Sequence, residues 1–304
     1  MKQFRILSAV TKMGSMAGAA RQLNVTPPAI TVQIQQLEQS IGLPLVERLG
    51  ERTRPTTAGD IVLKTAHRIE ALLAECDQEL AQLKGVKGGR VSVGVVSTAK
   101  YFAPRALAAF MQRHPGVEVR LAVGNREETI RTLGDLTLDL AIMGRPPESL
   151  DLESAILGDH PHIIIAPSGH SLAHARLKIE DLAGETFFVR EPGSGTRILM
   201  ERLFEEAGFS PNVGMEIGSN ETIKQAVIAG LGIAFISAHT VAVEIADGRL
   251  IELTVSGLPV VRKWHVVRLR EKALMPAGDA VWQFLASEGQ RFLPEPSAGP
   301  KITL

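Results

Sequence analysis

The 304-residue chain has one cysteine, Cys76, which excludes an internal disulfide and a cysteine-rich metal site. Its basic and acidic residues balance at 33 each, so it cannot coat nucleic acid through net charge alone. No apolar run approaches the roughly 20 residues that a membrane span needs, and the amino end lacks the apolar region of a signal peptide. We therefore expect a cytoplasmic protein without a membrane partner. With 45% hydrophobic residues, the chain can form two or three globular domains.

The segment from Ser15 to Glu38 has the pattern of two short helices joined by a tight turn. Thr26 is a favourable N-cap, and the two prolines after it fit the first turn of the second helix, where amide hydrogens lack intrahelical partners. An apolar stripe at helical spacing packs the second helix on the first. The stripe consists of Ile30, Ile34, Leu37 and Ile41, and the first helix presents Ala17, Ala20 and Leu23. The pattern predicts a helix-turn-helix, although an ordinary helical hairpin would share it.

The opposite face of the second helix carries short or amide side chains, which can approach base edges in a major groove. Gln35 can pair with adenine, and the methyl groups of Thr31 and Val32 suit a thymine methyl. A short basic loop follows, with arginines between Gly50 and Pro55. It fits either a wing that contacts phosphates or a solvated charge cluster. The predicted DNA contacts are Thr26, Pro27, Pro28, Thr31, Val32, Gln35, Arg52 and Arg54.

Beyond this loop, apolar residues recur every three or four positions from residue 57 to residue 84, with no proline and one early glycine. This narrow seam predicts a long helix that pairs with a second copy, or that packs against its own chain. Glycines at 85, 88 and 89 predict a hinge. The predicted organisation is a DNA-binding domain at 1–57, a linker and dimerisation helix at 58–84, a hinge at 85–89, an effector-binding domain at 90–293 and a flexible tail at 294–304.

From residue 90, short apolar strands alternate with helical segments, which predicts a parallel sheet covered by helices. Strands are expected at 91–96, 117–123, 138–143, 163–166, 187–189, 213–217 and 233–236, and helices at 104–113, 127–133, 198–207 and 222–229. One small sheet does not hold so many strands. We therefore expect two lobes, with Pro146 and Pro147 as the joint between them. Lobe I covers about 90–158 and 266–293, and lobe II covers about 159–265.

Ligands of such folds bind at the carboxyl ends of strands, near helix N-termini. Ser97, Thr98 and Lys100 follow a strand and precede a helix, so they can form one wall of an anion site. The segment at 191–197, Glu-Pro-Gly-Ser-Gly-Thr-Arg, supplies amides and further donors for a second wall, or is a simple glycine turn. Four residues after other strands complete the cleft or only cap their helices. The predicted effector site is Ser97, Thr98, Lys100, Asn125, Arg126, Ser194, Thr196, Arg197, Asn220 and Thr222.

Two other classes of protein compete with a ligand-controlled DNA-binding protein. Ser97 and Lys100 fit the Ser-x-x-Lys pattern of penicillin-binding proteins, but the companion motifs and the other common catalytic motifs are missing, so we expect neither an enzyme nor a cofactor. The histidine pairs at 160 and 162 and at 170 and 174 lack supporting cysteines or carboxylates. They are interpreted as structural, and no metal is expected. A solute-binding protein is the other alternative, against which the amino-terminal module argues.

Over essentially its whole length the chain resembles the LysR-type transcriptional regulators. The resemblance is carried by Thr26 to Glu38, by Leu-Val-Glu-Arg-Leu at 45–49 and by Thr-Thr-Ala-Gly at 56–59. Two positions depart from the family, because Pro27 replaces the usual glutamine and Val32 replaces a common arginine or methionine. The resemblance implies an α/β multidomain fold with an N-terminal winged helix-turn-helix, a long linker helix and a two-lobed effector domain like a periplasmic binding protein.

Within the family, Ser97 to Pro104 and Gly124 to Thr129 resemble the branch that controls carbon-fixation operons. This implies a small anionic effector, such as a phosphorylated Calvin-cycle metabolite or an NADPH-like nucleotide. The implied partners are double-stranded promoter DNA, further copies of the chain in a dimer or tetramer, and RNA polymerase. We expect the effector to shift the population of conformations in which the linker helices and DNA-binding domains are angled differently.

Overall fold

The structure is a computed structural model that describes residues 2–50, 52–83 and 88–294. By their contacts the residues form two compact units, Met1–Lys84 and Gly85–Leu304. No helix among the described residues is long and apolar enough to cross a bilayer. The first unit contains helices α1 (Lys2–Met13), α2 (Met16–Leu23), α3 (Pro27–Ile41) and α4 (Thr57–Leu83), with a hairpin of β1 (Val46–Leu49) and β2 (Arg52–Pro55) before α4.

Local capping defines the two central helices of the first unit. The Ser15 hydroxyl accepts a hydrogen bond from the Gly18 amide at 3.0 Å and starts α2. Asn24 ends α2 in a left-handed conformation with φ of 53°, which turns the chain toward α3. Thr26 occupies the predicted N-cap position of α3, but its side chain makes no capping hydrogen bond. Pro27 in the first turn therefore marks the start of the helix.

The apolar stripe of α3 packs into the core of the first unit through Ile30, Ile34 and Leu37, which are buried. The stripe is shorter than predicted, because Ile41 lies at the end of the helix and is 38% exposed. On α2 the buried pair is Ala19 and Ala20, whereas Ala17 is exposed and the prediction for it is wrong. α2 meets the core through the face that carries residues 19 and 20.

The start of α4 is anchored to the loop before the hairpin. The Thr56 hydroxyl accepts from the Gly59 amide at 3.0 Å and donates to the Pro44 carbonyl at 2.7 Å. A Cβ at Gly59 would overlap the carbonyl oxygen of Leu45, so this position requires glycine. Further along α4 the apolar seam is exposed within its own chain, with exposed fractions of 62% for Ile61, 64% for Leu72 and 49% for Leu80. Residues 84–87, which include most of the predicted hinge at 85–89, and residues 295–304 of the predicted tail lie outside the described residues.

The described residues of the second unit form a sheet of nine strands. The strands are β3 (Gly89–Val96), β4 (Val117–Gly124), β5 (Leu140–Met143), β6 (Leu152–Pro167), β7 (Thr186–Arg190), β8 (Asn212–Ile217), β9 (Ile233–Ser237), β10 (Leu250–Glu252) and β11 (Val260–Leu269). The helices are α5 (Ala103–Arg113), α6 (Arg126–Gly134), α7 (Gly195–Glu206), α8 (Asn220–Ile228), α9 (Ala238–Ala246) and α10 (Pro276–Glu288). The strands pair in the order β4-β3-β5-β11-β6-β9-β7-β8, and β10 pairs with β6.

The sheet is parallel at both ends and antiparallel in the middle, which corrects the prediction of a parallel sheet. β3 pairs in parallel with β4 and β5, and β7 pairs in parallel with β8 and β9. β6 is four times longer than the strand expected at 163–166, and it pairs antiparallel with β11 and β9. The strand at 260–269 and the helices at 238–246 and 276–288 had not been predicted.

The hydrophobic clusters described in this unit fall into two groups. One lies around Val93, Phe110 and Trp264, and the others cover the two faces of the sheet around Phe187 and Ile236. β6 and β11 contribute residues to both groups, so the division between the lobes runs across these two strands. The predicted joint at residues 146 and 147 lies instead in the loop between β5 and β6.

Candidate functional site

The exposed face of α3 is the first candidate site. Thr26, Pro27, Pro28, Val32 and Gln35 are exposed, as expected for residues that contact bases. Thr31 is half-buried, and its hydroxyl donates to the Pro27 carbonyl at 3.2 Å, which leaves the methyl group as its candidate contact. Side chains without charge on an exposed helix face can approach base edges without separating ion pairs.

The hairpin after α3 presents alternate arginines to solvent. Arg52 and Arg54 are exposed residues of β2, and the amide of Thr53 between them donates to the Gly14 carbonyl at 2.8 Å. The hairpin is thereby attached to the turn between α1 and α2. Guanidinium groups on a fixed hairpin can bind phosphate oxygens on either side of a groove.

A narrow cleft in the second unit, with an internal volume of about 40 Å³, brings together six of the ten residues predicted to bind an effector. They come from the ends of β3 and β4 and from the start of α7. These six residues are Ser97, Thr98, Asn125, Arg126, Ser194 and Thr196. The structure adds five other side chains and two glycines to the lining, namely Val96, Gly144, Arg145, His160, His162, Gly195 and Arg262.

Two helices begin at this cleft, and their first turns differ. Asn125 caps α6, because its side chain accepts from the Glu128 amide at 2.9 Å and its own amide donates to the Glu128 carboxylate at 3.0 Å. Ser194 at the start of α7 makes no capping hydrogen bond, and the Thr196 hydroxyl next to it is also buried. The positive end of α7 is therefore directed at the cleft without a side-chain acceptor of its own.

Arginines give the cleft an excess of positive charge. Burial, together with repulsion from Arg145, holds the pKa of Arg126 below its ordinary value. Burial lowers the pKa of Arg262 as well, with repulsion from Arg202, Arg145 and Arg126. No carboxylate is present in the described lining of the cleft, and Glu148, which binds Arg145 at 2.7 Å, belongs to an adjoining open chamber. A bound anion would relieve this repulsion.

Two histidines of β6 form the floor of the cleft. His160 and His162 are 4% and 2% exposed. Burial lowers the pKa of His162 to about 3 and holds that of His160 well below its usual range, so both rings are uncharged at neutral pH. Sequence reasoning assigned them no ligand role, although their spacing of two residues is that of neighbours on one face of a strand.

Four predicted effector residues lie outside the lining of the cleft, and other groups engage the side chains of three of them. The Lys100 ammonium lies 3.8 Å from the Glu221 carboxylate. Arg197 donates to the Arg190 carbonyl at 3.0 Å and pairs with Glu201 of α7 and with Glu216 of β8. Asn220 accepts a hydrogen bond from Arg190, and Thr222 is an exposed residue in the first turn of α8.

Polar contacts link the end of β3 and the turn after it to the strand and helix on the other side of the cleft. The buried Arg190 of β7 donates to the Ser97 hydroxyl at 3.1 Å. Tyr101 donates to the Glu221 carboxylate, and burial followed by this hydrogen bond raises the pKa of Tyr101. Among the described residues no group of three or more histidine, cysteine, aspartate or glutamate side chains could hold a metal ion.

The two units match two known sequence families. Residues 1–60 match the bacterial regulatory helix-turn-helix protein of the lysR family, and residues 84–290 match the LysR substrate binding domain. The chain is 55% identical over 302 residues to the HTH-type transcriptional regulator CbbR of Xanthobacter flavus, covering 98% of this chain and 91% of that protein. It is 42% identical over 292 residues to the RuBisCO operon transcriptional regulator of Allochromatium vinosum, covering 96% and 97%.

A solved structure resembles the second unit. The regulatory domain of CcmR from Synechocystis PCC6803, in complex with 2-PG, is 38% identical and has a TM-score of 0.63. The match covers 66% of this chain and 96% of that domain. These matches confirm the predicted fold class and confirm a transcriptional regulator rather than an enzyme. With family matches over both units and relatives similar along nearly its whole length, the chain belongs to the LysR family of transcriptional regulators.

Proposed function

We propose that this protein regulates carbon-fixation genes, and that a small phosphorylated anion bound in the cleft controls its binding to promoter DNA. Two similar proteins are named as regulators of this kind, CbbR and the RuBisCO operon regulator. The similar CcmR domain is described in complex with 2-PG, which we take to be 2-phosphoglycolate. Phosphorylated metabolites and an NADPH-like nucleotide share the phosphate group that the cleft suits.

The observation that carries the proposal is the donor-rich lining of the cleft. The uncapped start of α7, the hydroxyls of Ser97, Thr98, Ser194 and Thr196, and the arginines provide hydrogen-bond donors and positive charge. Helix N-termini and arginines together are the usual protein ligands of phosphate. With no carboxylate in the described lining, an anionic ligand has no repulsion to overcome there. Lys100, Arg197, Asn220 and Thr222 are not part of the proposed site.

For the DNA-binding unit we propose that α3 enters a major groove. Gln35 and Val32 would then contact bases, with Pro27, Pro28 and the methyl group of Thr31 beside them. Thr26, Arg52 and Arg54 would bind phosphates. Apart from the half-buried Thr31, these residues are exposed, which supports their assignment.

The proposed assembly of several copies of the chain rests on α4. Its exposed apolar seam would be covered by α4 of a second copy, giving a dimer or a pair of dimers with two or four DNA-binding units. RNA polymerase would be the further partner at the promoter. An effector that favours one conformation by about 1.4 kcal/mol changes the ratio of conformations tenfold, so few contacts suffice for control.

The test is calorimetric titration of the full-length protein with 2-phosphoglycolate. Thr196→Val and Arg126→Gln should each weaken binding at least tenfold, since each removes a donor to the anion. Arg131→Gln changes an exposed arginine of the same helix outside the cleft and should bind as wild type does. In parallel, fluorescence anisotropy should show preference for a carbon-fixation promoter over random duplex. Absence of that preference, or equal ligand binding by all variants, would contradict the proposal.

A further inference from the structure

One ring nitrogen in the cleft has no partner. The Nδ1 atom of His160 is buried and makes no hydrogen bond, although nearly all buried polar atoms in folded proteins are paired. His160 lines the cleft from the middle of β6. A buried polar atom without a partner, on a residue that lines a ligand cleft, is a candidate ligand contact.

The orientation of this ring is set by its neighbours. Its other nitrogen, Nε2, lies 3.0 Å from the Ser237 hydroxyl. One face stacks on Trp264, with ring centroids 3.6 Å apart and an angle of 16° between the planes. Trp264 is held in turn, because its indole N–H donates to His239 Nδ1 at 3.0 Å. The ring therefore cannot turn to pair its Nδ1 elsewhere without breaking these contacts.

Gly144 lies beside Nδ1 of His160. A Cβ at Gly144 would lie 3.1 Å from Nδ1 and 3.4 Å from Cε1 of His160, which is tighter than ordinary contact. The Gly144 backbone is fixed, since its carbonyl lies 3.0 Å from Nδ1 of His265. A side chain at this position would press on the edge of the ring that carries Nδ1, so glycine preserves the observed orientation of His160.

Ser237 decides which nitrogen carries the proton. If its hydroxyl donates to Nε2, the uncharged imidazole has its proton on Nδ1, which is then a donor directed at the cleft. The surroundings oppose a second proton, because His162, His239 and Arg262 lie near and the ring is buried. A neutral donor suits an anion's oxygen and adds no charge to the arginines already present.

We propose that His160 contacts the effector directly, its Nδ1–H donating to an oxygen of the bound anion, while Ser237 holds the ring in this tautomer. This assignment rests on the function proposed above, because it takes the cleft as the effector site. It adds a specificity-determining contact that depends on geometry, since the Nδ1 hydrogen bond has one direction whereas an arginine attracts any anion.

The experiment compares two amide substitutions of His160 in the full-length protein. An asparagine amide falls near the position of Nδ1, and a glutamine amide falls near Nε2. In titrations with 2-phosphoglycolate, His160→Asn should bind within about threefold of wild type, whereas His160→Gln should bind at least tenfold more weakly. Gly144→Ala should also lose at least tenfold, because the new methyl group crowds the ring edge that carries Nδ1. DNA affinity without ligand and the melting temperature report whether each variant is folded.

A measurement on the wild-type protein keeps the test independent of variant folding. Nitrogen NMR of labelled histidine should show a protonated His160 Nδ1 whose resonance shifts when 2-phosphoglycolate is added. The inference alone is overturned if wild type binds and His160→Gln binds equally well, if the Asn and Gln variants lose equally, or if the Nδ1 resonance does not respond. Failure of wild type to bind either 2-phosphoglycolate or inorganic phosphate would overturn the proposed function, and this inference with it.

Discussion

A buried ion pair between α8 and α9 offers a quantitative test of the structure. The Lys224 ammonium lies 2.9 Å from Oε1 of Glu244 and 3.0 Å from the Glu221 carboxylate, and it also donates to the Thr240 carbonyl at 3.4 Å. The side chains of Lys224 and Glu244 are only 5% and 10% exposed. Removing one member of such a pair leaves the other charge buried without compensation.

Lys224→Met keeps the length of the side chain and removes the charge. Breaking a buried pair in this way costs about 3–5 kcal/mol. We expect the lower end of this range, because Arg249 lies 3.8 Å from Glu244 and partly replaces the lost partner. For a unit of this size the melting temperature should fall by about 6–12 °C. Lys263→Met removes a matched surface pair whose side chains are 52% and 60% exposed, and it should cost at most about 1 kcal/mol.

The assay is thermal and urea unfolding of the full-length protein for a double-mutant cycle of Lys224→Met and Glu244→Gln. The double variant has no unpaired buried charge. Its loss of unfolding free energy should therefore be smaller than the sum of the two single losses by at least about 1 kcal/mol. Additivity within about 0.5 kcal/mol, or a cost of Lys224→Met no larger than that of Lys263→Met, would refute the inferred pairing.

Three further outcomes are expected. Gly59→Ala should destabilise the DNA-binding unit by about 1–3 kcal/mol in urea unfolding, because the new methyl group overlaps a backbone carbonyl, and a neutral effect would be evidence against that contact. In anisotropy titrations, Gln35→Ala should reduce preference for the operator by about 1–3 kcal/mol, whereas Arg54→Ala should weaken binding to all sequences and lower the salt slope by about one; the reverse pattern would exchange their roles. The pKa values of His162 and His239 are depressed to about 3 and 4, so their contribution to stability is present above pH 6.5 and falls as the pH drops, by about 2 kcal/mol each at pH 5. His239→Asn should remove about 2 kcal/mol of the loss at pH 5 in unfolding titrations, and an unchanged pH dependence would contradict it.

The helix-turn-helix and most of the α/β elements could be predicted because their signals are local. Capping by Ser15, prolines at the start of α3 and an apolar stripe each lie within a few residues of the element that they define. β6 could not be found in the same way, since Gly158, Asp159 and Pro161 interrupt its apolar pattern. Its central position in the sheet comes from pairing with β11, about 100 residues later in the chain.

The residues of the candidate site also differ in whether a local sequence signal predicts them. Residues that directly follow strands or begin a helix, such as Ser97 and Thr196, were predicted from position alone and line the cleft. Arg262 and His160 come to the cleft only through the pairing of β6 with β11, for which the sequence has no local signal. Lys100 was assigned to the site by its charge, but Glu221, distant in sequence, engages it.

Because β6 and β11 belong to both lobes, rotation of one lobe against the other must bend these strands. Both strands are irregular at this point. Gly158 of β6 has φ of +148°. Opposite Gly158, the β6–β11 ladder shifts register between Trp264 and His265. His160 and Arg262 lie two residues from these irregularities. We therefore expect a metabolite held by these two residues to act directly on the segment that such a rotation would bend.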